Sequence, residues 1–494
     1  MSTRQGGRSA AEAGSRTPVS AVERRSIDFV PEDERHGSPV NQFTLWFGAN
    51  MQITAVVDGA LAVIFGADAL WAIIGLFIGN LAGGVVMALH SAQGPRLGLP
   101  QMISSRAQFG VFGAVIPLLL VIVMYLGFAA TGTVLSGQAI NLIVGVDAEA
   151  FGIIVFGLLT MVVATLGYRH IHMMGRISTV VGIVGFTFLA IRVFTEYDVG
   201  ALLSEHNFDI TTFLLAISLS AGWQLTFGPY VADYSRYLPR DTPENVTFHA
   251  TLWGSVLGSQ WSMTLGALLA GLSASSQLGA DQLPFIANQV GFLGDLAGPA
   301  LLATVIYFVI VVGKLTVNSL NAYGGFMTMV TTVTSFSGEV RIRPVVRAAY
   351  IGVFIAVSVL IALAATDDFL TNFRNFILAL LMVFTPWSAI NLTDYYLISK
   401  ERVDVPALYD PDGRYGRWNV AALTSYAVGI GCQIPFMAQT LYTGPMTEEL
   451  GGADISWMVG LLVTGAVYYL WARRTANPPA EMIYPPGTEL AGKR

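Results

Sequence analysis

The sequence predicts an all-α polytopic membrane protein with twelve transmembrane helices. Three observations carry that reading. Hydrophobic residues make up 54% of the 494 residues and charged residues only 12%, against about 25% charged in an ordinary soluble domain. The apolar residues gather in runs of about 17–25, the length a helix needs to cross hydrocarbon. The basic residues sort by loop, as the positive-inside rule requires.

The elements follow in order. Residues 1–42 are polar, of mixed charge, and lack the short apolar run of a signal peptide. They are expected to form a disordered cytoplasmic tail. Twelve apolar segments follow, at about 44–66, 69–90, 113–143, 151–168, 174–195, 211–231, 246–272, 298–331, 347–365, 373–397, 418–441 and 455–472. A lipid-exposed span must satisfy its own backbone hydrogen bonds, so each reads as a helix. The ten-residue alternating strands of a barrel are absent. With the N-terminus inside and each span crossing once, only Arg192, Arg374 and Lys314 of the 26 basic residues fall outside the inner segments. An odd number of spans would scramble that sorting. Both termini are expected in the cytoplasm, with the chain in the plasma membrane. The transmembrane domain covers 43–475, with repeat one at about 44–196, repeat two at about 211–397, and helices 11 and 12 at about 418–472. Residues 476–494 read as a cytoplasmic C-terminal tail.

Composition narrows the function. A net charge of −6 gives no hint of a nucleic-acid partner. A single cysteine, Cys432, allows no internal disulfide. The six histidines show no zinc-binding spacing. A membrane-embedded enzyme would need a metal or acid–base constellation at a shared depth, so the chain is expected not to be an enzyme. A transporter is the leading expectation, and a facilitator or channel for a small polar solute the alternative. A channel would spread polar residues along most of a span, whereas here they cluster. The expected partners are a small-molecule substrate and the bilayer, with the protein a monomer or weak oligomer.

Transporters built from inverted repeats interrupt a helix at corresponding places in each half, and the freed backbone makes the site. Spans 1 and 6 open the two five-helix units. Span 1, LWFGANMQITAVVDGALAVIFG, places Gly48, Asn50, Gln52 and Thr54 together in its first half. Span 6, LLAISLSAGWQLTFGPYVADYSRY, carries Ser218, Ser220, Gly222, Gln224, Gly228 and Pro229. Unwinding is expected near Ala49–Gln52 and Gly222–Gln224. In span 3, MYLGFAATG puts Tyr125 and Phe128 on one face. In span 8, GKLTVNSLNAYGG carries Lys314, Thr316, Asn318 and Asn321. A flat polar ligand between aromatics could be read by these amides, because Asn and Gln offer both donor and acceptor.

The chain resembles the nucleobase:cation symporter family, the purine–cytosine permeases. The stretches that carry the resemblance are LWFGANMQIT, FIGNLAGG, GPRLGLPQMISSRAQFGVFGAVIP, PYVADYSRYLPRDTPEN, NSLNAY, PWSAINLTDYYL and YTGPMTEELGGADISWMVG, over about 44–475. The resemblance implies a LeuT-like fold of inverted five-helix repeats plus two extra helices. It also implies uptake of a nucleobase or related flat heterocycle, coupled to Na⁺ or H⁺, with no other cofactor. The span-3 aromatic that stacks on the base falls on Phe128, with a polar site residue on Tyr125. The span-6 positions fall on Trp223 and Gln224, and the base-reading amide of span 8 on Asn318. Sodium-binding members use span-1 carbonyls and span-8 hydroxyls, at positions that fall on Ala49 and Gln52, and on Gly313, Thr316 and Val317. Val317 has no hydroxyl, and Lys314 sits among these positions. The expectation is that Lys314 replaces sodium and that transport is driven by protons or is only weakly sodium dependent. Asp58 is a second charge within span 1, and a partner for Lys314 only if the helices bring the two together.

Overall fold

Span 1 is two helices, not one. In the computed structural model, which describes residues 27–166, 168–204, 207–278, 284–337, 344–440 and 442–488, α1 (Pro39–Asn50) and α2 (Ile53–Ile64) meet at a bend of 60°. The remaining long helices are α3 (Ala69–Leu97), α4 (Val115–Val144), α5 (Glu149–Leu166), α6 (Tyr168–Glu196), α7 (Ile210–Leu225), α8 (Glu244–Ala274), α9 (Ala300–Ser337), α10 (Pro344–Ala365), α11 (Phe369–Leu392), α12 (Val420–Gln433) and α13 (Ser456–Thr475). Each of the twelve expected spans coincides with one of these helices or, for span 1, with the bent pair. By length and composition alone, six of the described helices, or seven counting the bent pair, can cross a membrane. Two further apolar helices, over Glu149–Thr165 and Val420–Phe436, are shorter, and α8 hides polar residues on a covered face. In α8, Ser255, Ser259 and Ser262 are fully buried, so its mean hydropathy understates how well it fits a bilayer.

The helices form two groups. Helices α1, α2, α3, α7 and α8 pack closely on one another. Small residues make this possible. A Cβ on Gly254 or Gly258 of α8 would strike the backbone of Phe43 or Phe47 in α1, and one on Gly266 would strike Val56 of α2. Without a hydrophobic drive between helices in lipid, such close approach supplies the packing. The second group is α4, α5, α6, α9 and α10. Helices α11, α12 and α13 pack together beside them.

Both terminal segments lie on one face. Val30 N–H donates to Gly98 O at 2.9 Å, and the buried Arg35 donates to Val30 O, Leu238 O and Pro95 O. Ile483 bridges Val403 and Val405 through two backbone hydrogen bonds of 3.0 Å. The rings of Phe29 and Tyr484 meet at 5.9 Å, which ties the two ends together. Helix α1 starts at Pro39, so the expected tail boundary at residue 42 falls inside it, and residues 27–38 are packed segments. Residues 1–26 and 489–494 of the two expected tails lie outside the described residues.

Candidate substrate and cation site

The bend in span 1 falls at Met51 and Gln52, where the sequence placed it. Gln52 is extended, with φ −148° and ψ 156°. Its carbonyl accepts from Ala55 N–H and Val56 N–H, starting α2. Neighbouring helices hold the bend. Asn50 is fully buried; its amide donates to Trp46 O at 2.7 Å and Ser255 Oγ at 3.1 Å. Its Oδ1 accepts from Trp223 Nε1 at 2.6 Å, and its backbone carbonyl accepts from Ser262 Oγ.

Span 6 breaks one turn later than expected. Helix α7 runs unbroken through Gly222–Gln224 to Leu225, and a 3₁₀ turn follows at Gly228–Tyr230. Pro229 has no N–H to continue the ladder. Gly222 serves packing instead, since a Cβ there would lie 2.9 Å from Ile377.

Gln224 is also placed differently. It is fully buried among α3, α7 and α8. Its Nε2 donates to Asn80 Oδ1 at 3.0 Å and Ser259 Oγ at 2.7 Å, and its Oε1 accepts from Ser255 Oγ at 2.6 Å. Three protein bonds occupy its amide, so it ties helices together and is not free to read a ligand.

The two expected aromatics do meet. Phe128 and Trp223 stand edge to face, centroids 5.7 Å apart, and Phe376 meets Phe128 at 5.3 Å. A flat ring held between two parallel faces needs about 7 Å, twice a carbon contact distance of about 3.5 Å. A flat ring would fit between Phe128 and Trp223 only with one of the two rings turned. Trp223 comes from the first helix group and Phe128 from the second, so this contact is where the groups face each other. Toward the side of the termini, Tyr125 meets Tyr230 at 5.4 Å. A narrow cavity opens there, lined by Tyr125, Tyr230, Pro229, Asp233, Gly324 and Thr328. Gly324, which lines this cavity, was not among the residues expected from the sequence. A Cβ there would lie 2.6 Å from the Tyr125 ring, so the GG pair in NAYGG was its only signal.

Asn318 is buried beside Phe128. Its Nδ2 donates to Ala129 O at 2.8 Å and Thr133 Oγ1 at 3.2 Å, while Oδ1 has no partner. A carbonyl accepts only from the nitrogen, which fixes the orientation of the amide. Asn321, 8% exposed, has an Nδ2 without a partner. One helix thus presents an unfilled acceptor and an unfilled donor three residues apart.

Lys314 reaches the bend itself. Its Nζ donates to Gln52 Oε1 at 2.9 Å and Thr54 Oγ1 at 2.6 Å. Gln52 Nε2 in turn donates to Ala49 O at 2.9 Å. Asp58, on α2, is fully buried, both its oxygens lack a partner, and it forms no ion pair with Lys314. The two residues are therefore not the pair they could have been. The expected sodium ligands do not fit an ion. The Ala49 and Gln52 carbonyls are both occupied, and Thr316 Oγ1 donates to Val312 O within its own helix at 3.1 Å. Gly313 and Val317 offer no side-chain oxygen.

A bent first span, a broken sixth and a site between two helix groups define a multi-pass carrier of the LeuT-like type. A family profile described as permeases for cytosine/purines, uracil, thiamine and allantoin matches residues 29–460. The chain belongs to that family. It is 37% identical to YxlA of Bacillus subtilis, assigned to the purine-cytosine permeases, over 91% of this chain and 95% of that protein. It is 24% identical to the purine-cytosine permease fcyB of Emericella nidulans, over 90% and 87%. Its fold matches Mhp1 in the inward-facing conformation with a TM-score of 0.73 at 18% identity, covering 92% of this chain and 94% of that one. Mhp1, a nucleobase-cation-symport-1 family transporter, in a closed conformation with bromovinylhydantoin bound matches at 0.66.

Proposed function

We propose that this protein carries a nucleobase or related flat heterocycle (cytosine, a purine, or a hydantoin- or allantoin-like compound) across the plasma membrane into the cell. Uptake is coupled to a cation and proceeds by alternating access, with both termini in the cytoplasm. The carrying observation is the unfilled amide pair of Asn318 and Asn321, with Asn318 bonded to the Ala129 carbonyl next to Phe128 in sequence. A heterocycle edge offers a donor to Asn318 Oδ1 and an acceptor to Asn321 Nδ2, while its face stacks on Phe128, with Trp223 on the opposite side. Relatives named as purine-cytosine permeases support the substrate class. Gln52 and Lys314 border the site and Tyr125 closes it toward the termini. Ala49, Gly313, Thr316 and Asp58 are the neighbouring positions through which coupling acts. Among them Asp58 supplies a buried carboxyl able to hold a proton.

The test is uptake of a panel of radiolabelled bases into proteoliposomes. Stacking on an aromatic ring is worth about 1–3 kcal/mol, and an unpaired buried polar group costs about as much. Phe128→Ala and Asn318→Ala are each expected to weaken apparent affinity by roughly tenfold. Unchanged affinity in both, at normal expression, would show that the ligand sits elsewhere.

A further inference from the structure

We infer that Lys314 is a built-in cation: its ammonium fills the place at the α1–α2 bend where an ion would be held, so the carrier works without sodium. The transport arm of this inference rests on the cation-coupled reading above; the binding arm does not. Interrupted helices in membrane carriers offer unwound carbonyls to Na⁺ or H⁺. Here a lysine from the opposite helix group reaches that interruption. It is 2% exposed. Its partners are two neutral oxygens, Gln52 Oε1 and Thr54 Oγ1, both at the bend. Among the described residues no carboxylate lies within ion-pair distance of it, and both oxygens of Asp58 lack a partner. Neutral oxygens gathered round one positive charge are the surroundings an ion receives, and here they surround an ammonium.

The surrounding oxygens agree. Gln52, polarised by the ammonium at one end of its amide, donates from the other end to Ala49 O. That removes a carbonyl that a free ion would need. The Thr316 hydroxyl is turned to its own helix. A sodium ion about 4 Å from a fixed ammonium meets a repulsion that lowers its affinity by roughly a thousandfold at the effective dielectric of a protein. Removing the ammonium reverses the situation. Gln52 Oε1 and Thr54 Oγ1 then remain as neutral oxygens next to a cavity the size of the lost side chain.

The binding arm needs no substrate. Thermal unfolding of the purified protein is followed in NaCl, KCl and choline chloride at equal ionic strength. The wild type is expected to unfold at the same temperature in all three. Lys314→Ala is expected to gain a midpoint higher in NaCl than in KCl. If Lys314→Ala does not purify folded, Lys314→Gln takes its place, keeping the length and a donor without the charge. Sodium-specific stabilisation of the wild type would overturn the inference, and so would a charge-free variant indifferent to sodium. In proteoliposomes, wild-type uptake is expected to be equal with and without a Na⁺ gradient, and severalfold stimulation by Na⁺ alone would overturn the inference. A protein that took up no base while its unfolding followed the expected pattern would sink the substrate reading and leave this inference standing.

Discussion

The two interrupted helices solve one problem by opposite means. The bend at Met51–Gln52 contains neither Pro nor Gly, and neighbours impose it: Ser255 and Ser262 from α8, Trp223 from α7, and Lys314 from α9. The break after Leu225 is written into the chain by Pro229 and lined with the aromatic rings of Phe227, Tyr230 and Trp46. The first is polar, charged and held from outside; the second is apolar and held by its own covalent chemistry. A bend imposed by neighbours is lost when the neighbours are lost, whereas a break imposed by proline persists. The first bend is therefore the one able to respond to what occupies it.

The largest expected effect follows from that contrast. Asn50→Ala leaves Trp223 Nε1 buried without an acceptor and takes a partner from Ser255. Each such orphan costs about 1–3 kcal/mol, so a loss of roughly 3 kcal/mol is expected, read as a lowered unfolding midpoint in detergent. At the second break, Pro229→Ala restores a donor and takes none away, and it is expected to change stability by less than about 1 kcal/mol. A Pro229→Ala penalty larger than that of Asn50→Ala would reverse the comparison.

Next comes Gln224, the residue on which sequence and structure part. Span 6 reads as polar around Ser218, Ser220, Gly222 and Gln224, and polar residues at mid-membrane mark function by default. They also mark helix–helix bonds, and in α7 that is their use: Gln224 bonds to α3 and α8, while Gly222 seats Ile377. The polar cluster of span 1 located its bend because Asn50, Gln52 and Thr54 sit at the bend itself. The twelve spans and the meeting of Phe128 with Trp223 were legible because hydropathy and motif register fix them. The reach of Lys314 to Gln52, 262 residues away in sequence, was expected only through the family resemblance, because no local pattern records which helix faces which. Gln224→Ala is expected to cost roughly 2 kcal/mol, because Ser255 Oγ loses its acceptor and Asn80 Oδ1 and Ser259 Oγ each lose a donor. The apparent affinity of the surviving carrier for its base should change less than threefold. A tenfold loss of affinity at unchanged unfolding midpoint would return Gln224 to the binding site.

Asp233 gives the smallest effect and the sharpest reading of the second break. It follows the Pro229 turn, and its Oδ1 accepts from Gln101 N–H at 2.8 Å, linking the end of span 6 to the short helix Gln101–Ser104. It also lines the narrow cavity below Tyr125 and Tyr230, so it borders the path without reaching Phe128 or Asn318. Asp233→Asn keeps an oxygen to accept that bond and removes the charge that strengthens it. The loss in stability is expected to stay near 1 kcal/mol. If the second break is a hinge at the mouth of the path, the variant alters the rate of uptake and leaves the order in which bases compete unchanged. Competition assays with the same panel of bases separate the two roles. A reordered panel would mean that the charge reads the ligand as it passes, and that the proline-made break takes part in recognition as the polar bend does.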